Sequence, residues 1–212
     1  MLKLHHLPIA HTAVLVVDVQ ADFTEHKQGP LPARGTDAAY LTKVQETTQA
    51  FQASGYPIIV TQDWHPAEHI SFFTNHHNKS PFEVITLHDK PQTLWPPHCI
   101  QETSGAEILL PRQLFTHIVR KGMRQHYDSY SAFRDDGGLT TDLQNILQGY
   151  HINNIILYGL TSDYCVLAST LDARQLGYNV WVLKSLCRGV TEETERCAWQ
   201  AIAKSGAHIF DQ

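Results

Sequence analysis

The chain has 212 residues, 42% of them hydrophobic and 17% charged, with a formal net charge of -5. That length suits one domain with a substantial core, or at most two small ones, and mild acidity without a long Lys/Arg run gives nucleic acid no footing. No signal-peptide pattern opens the chain and no apolar run nears membrane-spanning length, so a cytoplasmic protein without a membrane anchor is the expectation.

Ala13-Val14-Leu15-Val16-Val17 reads as a strand buried on both faces and ending at Asp18. Asp37 to Ser54 carries helical spacing through Leu41, Val44, Thr48 and Phe51, then stops at Gly55. Pro57 to Thr61 is the next strand. The stretch from Asp63 to about Ile108 lacks sustained periodicity and is dense in His, Pro and Trp. Loops of that length inside compact domains are usually functional or disordered, and its aromatic content argues against disorder. Order resumes with strand Thr116 to Arg120, a helix from Thr140 to Leu147, and strand Asn154 to Tyr158. A helix from Cys165 to Leu176 follows, closed by Gly177, and then strand Asn179 to Leu183. Thr191 to Lys204 is the last helix, with Glu192 and Glu193 in its first turn, and Ala207 to Phe210 the last strand. Strand–helix alternation with nearly continuous apolar strands predicts an α/β fold. Its sheet is mainly parallel and covered on both faces. No repeat, linker or low-complexity tract divides the chain.

In such sheets ligands bind beyond the carboxyl ends of the strands. Asp18, Asp63, Lys121 and Cys165 all fall just past predicted strand ends. Cys165 also opens a helix, where unpaired N–H groups and the helix dipole favour a thiolate and can stabilise an oxyanion. A free cysteine picked at random is most often a packed core residue, and strand-end charges are commonly just solvated. Three reactive groups converging on one sheet edge point instead to a nucleophile, Cys165, with Asp18 as base and Lys121 holding the anion.

A second cluster is Asp63-Trp64-His65-Pro66, with Trp95-Pro96-Pro97-His98-Cys99 beyond it. Alternate side chains of an extended segment share a face, so Asp63 and His65 can meet one ion. A carboxylate and two imidazoles with room for water describe an open divalent-metal site. The histidine that completes it is left open among His69, His76, His77, His88 and His98. Lone loop histidines more often serve as hydrogen-bonding groups. Four spaced cysteines (Cys99, Cys165, Cys187, Cys197) form no CxxC pair and suit a reducing compartment.

Taken in order, Val17-Asp18-Val19-Gln20-Ala21-Asp22-Phe23, Gln62-Asp63-Trp64-His65-Pro66, Trp95-Pro96-Pro97-His98-Cys99, Lys121-Gly122, Tyr130-Ser131-Ala132-Phe133 and Gly159-Leu160-Thr161-Ser162-Asp163-Tyr164-Cys165-Val166 resemble the nicotinamidases, within the isochorismatase-like cysteine hydrolases. The resemblance spans nearly the whole chain. It implies a single domain over residues 1–212, a three-layer αβα sandwich on a sheet of about six strands, with a metal and lid region near 63–108. It implies hydrolysis of nicotinamide to nicotinate and ammonia through a Cys165 thioester, in NAD salvage. Asp18 would shuttle the proton, and Lys121 would assist. Asp63, His65 and His98 would ligate one divalent metal, with His69 a ligand in some relatives. Zn²⁺ is the first expectation, and Mn²⁺ or Fe²⁺ accept the same donors. Phe23, Trp95 and Tyr130 would wall the pyridine pocket. The backbone N–H groups of Thr161 and Cys165 would form the oxyanion hole, with a cis Leu160–Thr161 peptide.

Two departures from the family pattern stand out. Thr161 and Ser162 occupy positions often held by smaller residues, and the segment between His69 and Trp95 is longer than in the shortest relatives. The expected partner is a small molecule, with neither nucleic acid nor membrane. Relatives are often dimers or larger, so a homo-oligomer is open, as is activity on pyrazinamide-like analogues. The competing enzyme reading is a related cysteine amidohydrolase acting on another small amide or ureide, which would have less use for the Asp63/His65 segment. A catalytically idle binding or assembly protein would not need Asp18, Lys121 and Cys165 together.

Overall fold

In the computed structural model, residues 7–211 are described. The strands β1 (Thr12–Val17), β2 (Ile58–Asp63), β5 (His117–Lys121), β6 (Asn154–Leu160), β7 (Asn179–Arg188) and β8 (His208–Phe210) form one sheet ordered β5-β2-β1-β6-β7-β8. Every neighbouring pair in it is parallel. A separate antiparallel hairpin, β3 (Val84–Leu87) with β4 (Lys90–Thr93), lies in the long middle segment. The helices are α1 (Ala38–Ala53), α2 (Leu143–Gly149), α3 (Cys165–Gln175) and α4 (Glu192–Lys204).

Every residue of β1, β2 and β6 is buried, as their unbroken apolar runs require when helices cover both faces. From β1 the chain moves one way to β2, and from β6 the other way to β7. Right-handed crossovers therefore put α1 on one face and α3 and α4 on the other. Tyr158 of β6 shows the first packing: its ring stacks on Phe51 of α1 and its hydroxyl lies 2.8 Å from Thr48 Oγ1. The helix ends follow their local chemistry. Asp37 accepts the Tyr40 N–H at 2.9 Å to start α1, and Thr191 accepts the Thr194 N–H at 3.1 Å to start α4.

Several predicted boundaries shift, three of them for a visible reason. Strand β2 runs on to Asp63 because Asp63 pairs in register with Lys121 of β5. Strand β7 continues past Leu183 to Arg188 through a register break opposite Leu157–Gly159. Helix α2 starts at Leu143 rather than Thr140, since Thr140 is held in an antiparallel bridge to Arg134. The middle segment also holds regular structure that its periodicity did not reveal. Its hairpin turns on His88 and Asp89, both at positive φ (50° and 61°), without the Asn-Gly signal that usually marks such a turn.

Sheet order reverses direction between the adjacent strands β1 and β6, so a crevice opens beyond their carboxyl ends. Gly159 makes that close approach feasible. Its φ is +133°, and a Cβ there would sit 2.1 Å from the Val17 carbonyl oxygen.

Candidate active site

Asp18 follows β1, Lys121 ends β5 and Cys165 opens α3 five residues after β6. The fold brings all three together. Lys121 Nζ lies 2.9 Å from Asp18 Oδ2, 2.5 Å from Asp63 Oδ1, 2.9 Å from the Ser129 carbonyl and 3.3 Å from Cys165 Sγ. A carboxylate oxygen of Asp18, one of Asp63 and the Cys165 sulfur lie within 4.8 Å of one another. All four side chains are buried.

Asp18 adopts φ +45°, a left-handed conformation uncommon outside glycine. Thr61 holds it there, accepting the Asp18 N–H at 3.0 Å and donating its hydroxyl to Oδ1 at 2.5 Å. The other oxygen, Oδ2, is buried near Nζ without an aligned hydrogen-bond donor, so it is the free proton acceptor beside the sulfur. Burial raises the Asp18 pKa, against the attraction of Lys121. Burial opposes the charge of Lys121 as well, but Asp18 and Asp63 outweigh it and hold the ammonium protonated well above 10.5.

The expectation of a helix-dipole thiolate is corrected here. Burial pushes the Cys165 thiol well up, Lys121 works against that, and the Asp18 and Asp63 charges add to it. The resting sulfur carries its proton, with an acceptor next to it.

Asp63, His65 and His98 form the second cluster, each buried and offering one donor atom within 4.8 Å of the others. His65 Nδ1 lies 2.9 Å from the Gly122 carbonyl and His98 Nδ1 2.8 Å from the Pro96 carbonyl. A carbonyl only accepts, so each Nδ1 carries an N–H and each Nε2 is the atom turned toward the cluster. Asp63 gives Oδ1 to Lys121 and keeps Oδ2, 3.6 Å from His65 Nε2. Burial disfavours a charge on His65, but Asp63 outweighs it and raises the His65 pKa. Two imidazoles and a carboxylate whose atoms converge suit a divalent ion with open positions, which would displace that proton. Burial would disfavour ionised Asp63, but Lys121 and His65 overcome that and hold its carboxyl below the usual range. Burial, then the His65 charge, lowers His98 to about 4.

His69 stands behind this set rather than in it. Its ring centroid is 4.3 Å from that of His65, but its Nδ1 faces Ser71 Oγ at 2.7 Å and its Nε2 the Tyr127 carbonyl at 3.2 Å. His76 and His88 bond to backbone carbonyls elsewhere, and His77 is exposed. Of the five histidines left open by spacing, His98 completes the cluster.

Gly122 packs directly against the His65 ring. It has φ +65°, and a Cβ there would lie 2.2 Å from His65 Cε1. Gly122→Ala should therefore swing the imidazole out of line and weaken divalent-metal affinity about 10–100-fold. Competition with a chromophoric chelator measures this, and unchanged affinity would refute the assigned role of His65.

Phe23, Trp95 and Tyr130 line one narrow cleft with His65, His98, Thr161 and Cys165. Phe23 rests 5.3 Å from the His98 ring. Trp95 Nε1 donates to the Tyr130 hydroxyl at 3.0 Å, and Tyr164 meets Trp95 edge-on at 4.8 Å. The Leu160–Thr161 peptide is cis, as the resemblance implied. The N–H groups of Ser162, Tyr164 and Val166 are taken by the Arg188 and Thr161 carbonyls.

Sequence reasoning missed several contributors. Thr61 looked like any strand residue. Gln20 clamps the Asp63 backbone, accepting its N–H at 2.8 Å and donating to its carbonyl at 2.9 Å. Tyr164 was discernible as the aromatic residue preceding the nucleophile. Asp128, buried in the cleft wall, carried no signal of spacing.

The Isochorismatase domain model matches residues 12–212. The chain belongs to this family. It is 37% identical to the nicotinamidase of Acinetobacter baylyi over 210 residues, covering 97% of this chain and 95% of that one. The solved nicotinamidase/pyrazinamidase of Acinetobacter baumannii superposes with a TM-score of 0.85 at 35% identity, covering 95% and 96%. The pyrazinamidase of Pyrococcus horikoshii, solved in complex with zinc, does so at 0.78 and 32%, covering 95% and 99%. Family membership fits the single parallel sheet and the placement of Asp18, Lys121 and Cys165 at its carboxyl edge. Among the described residues no helix is long and apolar enough to cross a membrane.

Proposed function

We propose that this protein is a nicotinamidase, hydrolysing nicotinamide to nicotinate and ammonia in pyridine-nucleotide salvage. The observation that carries the reading is one narrow cleft lined both by Cys165, with the Asp18 carboxylate buried within 4.8 Å of its sulfur, and by the converging donors of Asp63, His65 and His98. A flat ring with a nitrogen at one end and a carboxamide at the other spans those two clusters. An amide or ureide lacking the ring nitrogen would leave the second cluster without a task.

Phe23, Trp95 and Tyr130 hold the ring and bring the carboxamide carbon to the sulfur, a gain in proximity. Cys165 Sγ attacks that carbon as its proton passes to Asp18 Oδ2, so no free thiolate need persist beside two carboxylates. Lys121 stabilises the sulfur while the proton moves. Negative charge builds on the carboxamide oxygen, where the N–H groups of Thr161 and Cys165 are the assigned donors; losing one such donor typically costs about 3–4 kcal/mol. Collapse breaks the C–N bond, and the departing nitrogen takes the proton from Asp18. Water then attacks the thioester, giving its proton to Asp18, and the carboxylic acid and the Cys165 thiol are released. A divalent ion held by Asp63, His65 and His98, zinc by analogy with the Pyrococcus structure, would supply an electrophile for the ring nitrogen or for a water beside it. His69 orients His65 from behind. The chain works as one hydrolase domain over residues 1–212, with 63–108 as metal and lid segment. The cytoplasm suits its four free cysteines.

Ammonia release from nicotinamide by the purified protein tests the reading. Turnover should be clear with nicotinamide and far weaker with aliphatic amides. Stripping the metal should raise KM about tenfold or more, with zinc restoring it. Equal turnover of benzamide, which has the ring and amide but no ring nitrogen, would overturn the metal-directed reading.

A further inference from the structure

The hairpin β3–β4 sends one polar side chain into the cleft wall. Gln92 of β4 is buried, and its Nε2 lies 2.8 Å from Asp128 Oδ2, 2.8 Å from the Thr93 carbonyl and 3.3 Å from the Tyr130 hydroxyl. Asp128 is buried too, and its Oδ1 accepts the Ser129 N–H at 2.8 Å. Trp95 Nε1 donates to the Tyr130 hydroxyl at 3.0 Å. An indole nitrogen only donates, so the Tyr130 oxygen must accept from it. Gln92 Nε2 links the phenol to the carboxylate, reaching both the Tyr130 oxygen and Asp128 Oδ2. Burial first, and the Asp128 charge second, push the Tyr130 pKa well up, so the phenol keeps its hydrogen. The polarity of the network follows: Trp95 and Gln92 give to the Tyr130 oxygen, and Gln92 gives to Asp128.

Such a network has one use for the cleft. Gln92 and Asp128 are tied to each other and, through the Tyr130 hydroxyl, to Trp95, so together they brace two of the aromatic rings that line the cleft. Buried polar groups of this kind specify a single arrangement when all are satisfied and lose it when one is removed. The contact also gives the hairpin, which stands outside the main sheet, a reason to be docked against the site.

We propose that Gln92 and Asp128 are positioning residues that lock Trp95 and Tyr130 in the ring-binding orientation, making the β3–β4 hairpin part of the substrate pocket. This rests on the nicotinamidase reading for its substrate, and not for its geometry.

The test uses Gln92→Leu and Asp128→Asn in the full chain. Each should raise KM for nicotinamide about tenfold, as expected for a broken buried hydrogen bond. Turnover at saturation should stay within about threefold, because the interaction acts on binding rather than on the transition state alone. Hydrogen exchange at the Trp95 indole N–H, assigned with Trp95→Phe, should accelerate at least about tenfold in both variants, in line with loss of its ordered acceptor. Thermal melts confirm folding. If Asp128→Asn does not fold, Gln92→Leu decides alone, since that residue lies in the hairpin and not in the main sheet. KM within twofold of the parent, or a fall in turnover at unchanged KM, overturns the inference. Should the parent itself release no ammonia from nicotinamide, the functional reading falls, and unaltered indole exchange would then separately remove this one.

Discussion

Replacing Cys165 by alanine should abolish ammonia release, with turnover falling about 10⁴-fold or more, the scale seen when a nucleophile is deleted from a covalent site. Nicotinamide should still bind within about threefold of the parent affinity, because the ring is held by Phe23, Trp95 and Tyr130 and only one sulfur is lost. Cys165→Ser should be nearly as inactive. Asp18 is a carboxylate, and even with its pKa raised by burial it is a far weaker base than a serine alkoxide. Serine therefore keeps the geometry and loses the acidity. Calorimetric binding beside an ammonia assay separates these effects. Turnover by Cys165→Ala within tenfold of the parent would end the thioester scheme, whatever else the cleft does.

How far these features could be read from the sequence depends on whether their signal was local. The strands β1, β2 and β6 were legible because two-sided burial leaves a continuous apolar run, and α1 because an Asp cap and a following glycine bracket a helical period. Asp18, Lys121 and Cys165 were found because carboxyl ends of parallel strands share one edge of the sheet. What escaped was set by distant partners. Nothing near Thr61 says that its hydroxyl will grip Asp18, and Gln92 lies in a four-residue strand that contains Pro91. The protonation of Cys165 escaped as well. The helix N-terminus is visible in sequence, whereas the burial and the two carboxylates that override it exist only in the folded site. Likewise, spacing brought five histidines within reach, and only the carbonyls of Gly122 and Pro96 show which rings turn Nε2 inward.

Lys121→Met should combine lost activity with a stability defect that changes with pH. In the parent, one buried ammonium serves both Asp18 and Asp63, with Nζ in contact with each carboxylate. Removing it leaves two buried like charges, and breaking a buried pair this way typically costs about 3–5 kcal/mol. For a chain of about 200 residues that corresponds to roughly 10 °C in Tm. Turnover should fall at least about 10²-fold, since the sulfur loses the ammonium 3.3 Å from it. The pH dependence follows from which carboxylates lose their cation. In the parent, Asp63 is held below the usual carboxylate range, so its contribution is present above that range and is lost as pH falls through its folded value. Lys121, raised well above 10.5, contributes at every pH below the ordinary lysine value and is lost only on reaching its folded one. In the variant both carboxyls move up, so the folded state gains by protonating them and recovers stability as pH falls through those raised values. The Tm gap between parent and variant, measured in metal-stripped protein, should therefore be widest near pH 7 and close steadily toward pH 4.5. A gap of the same size at both ends would mean that methionine merely packs badly, and that Lys121 does not compensate the buried carboxylates.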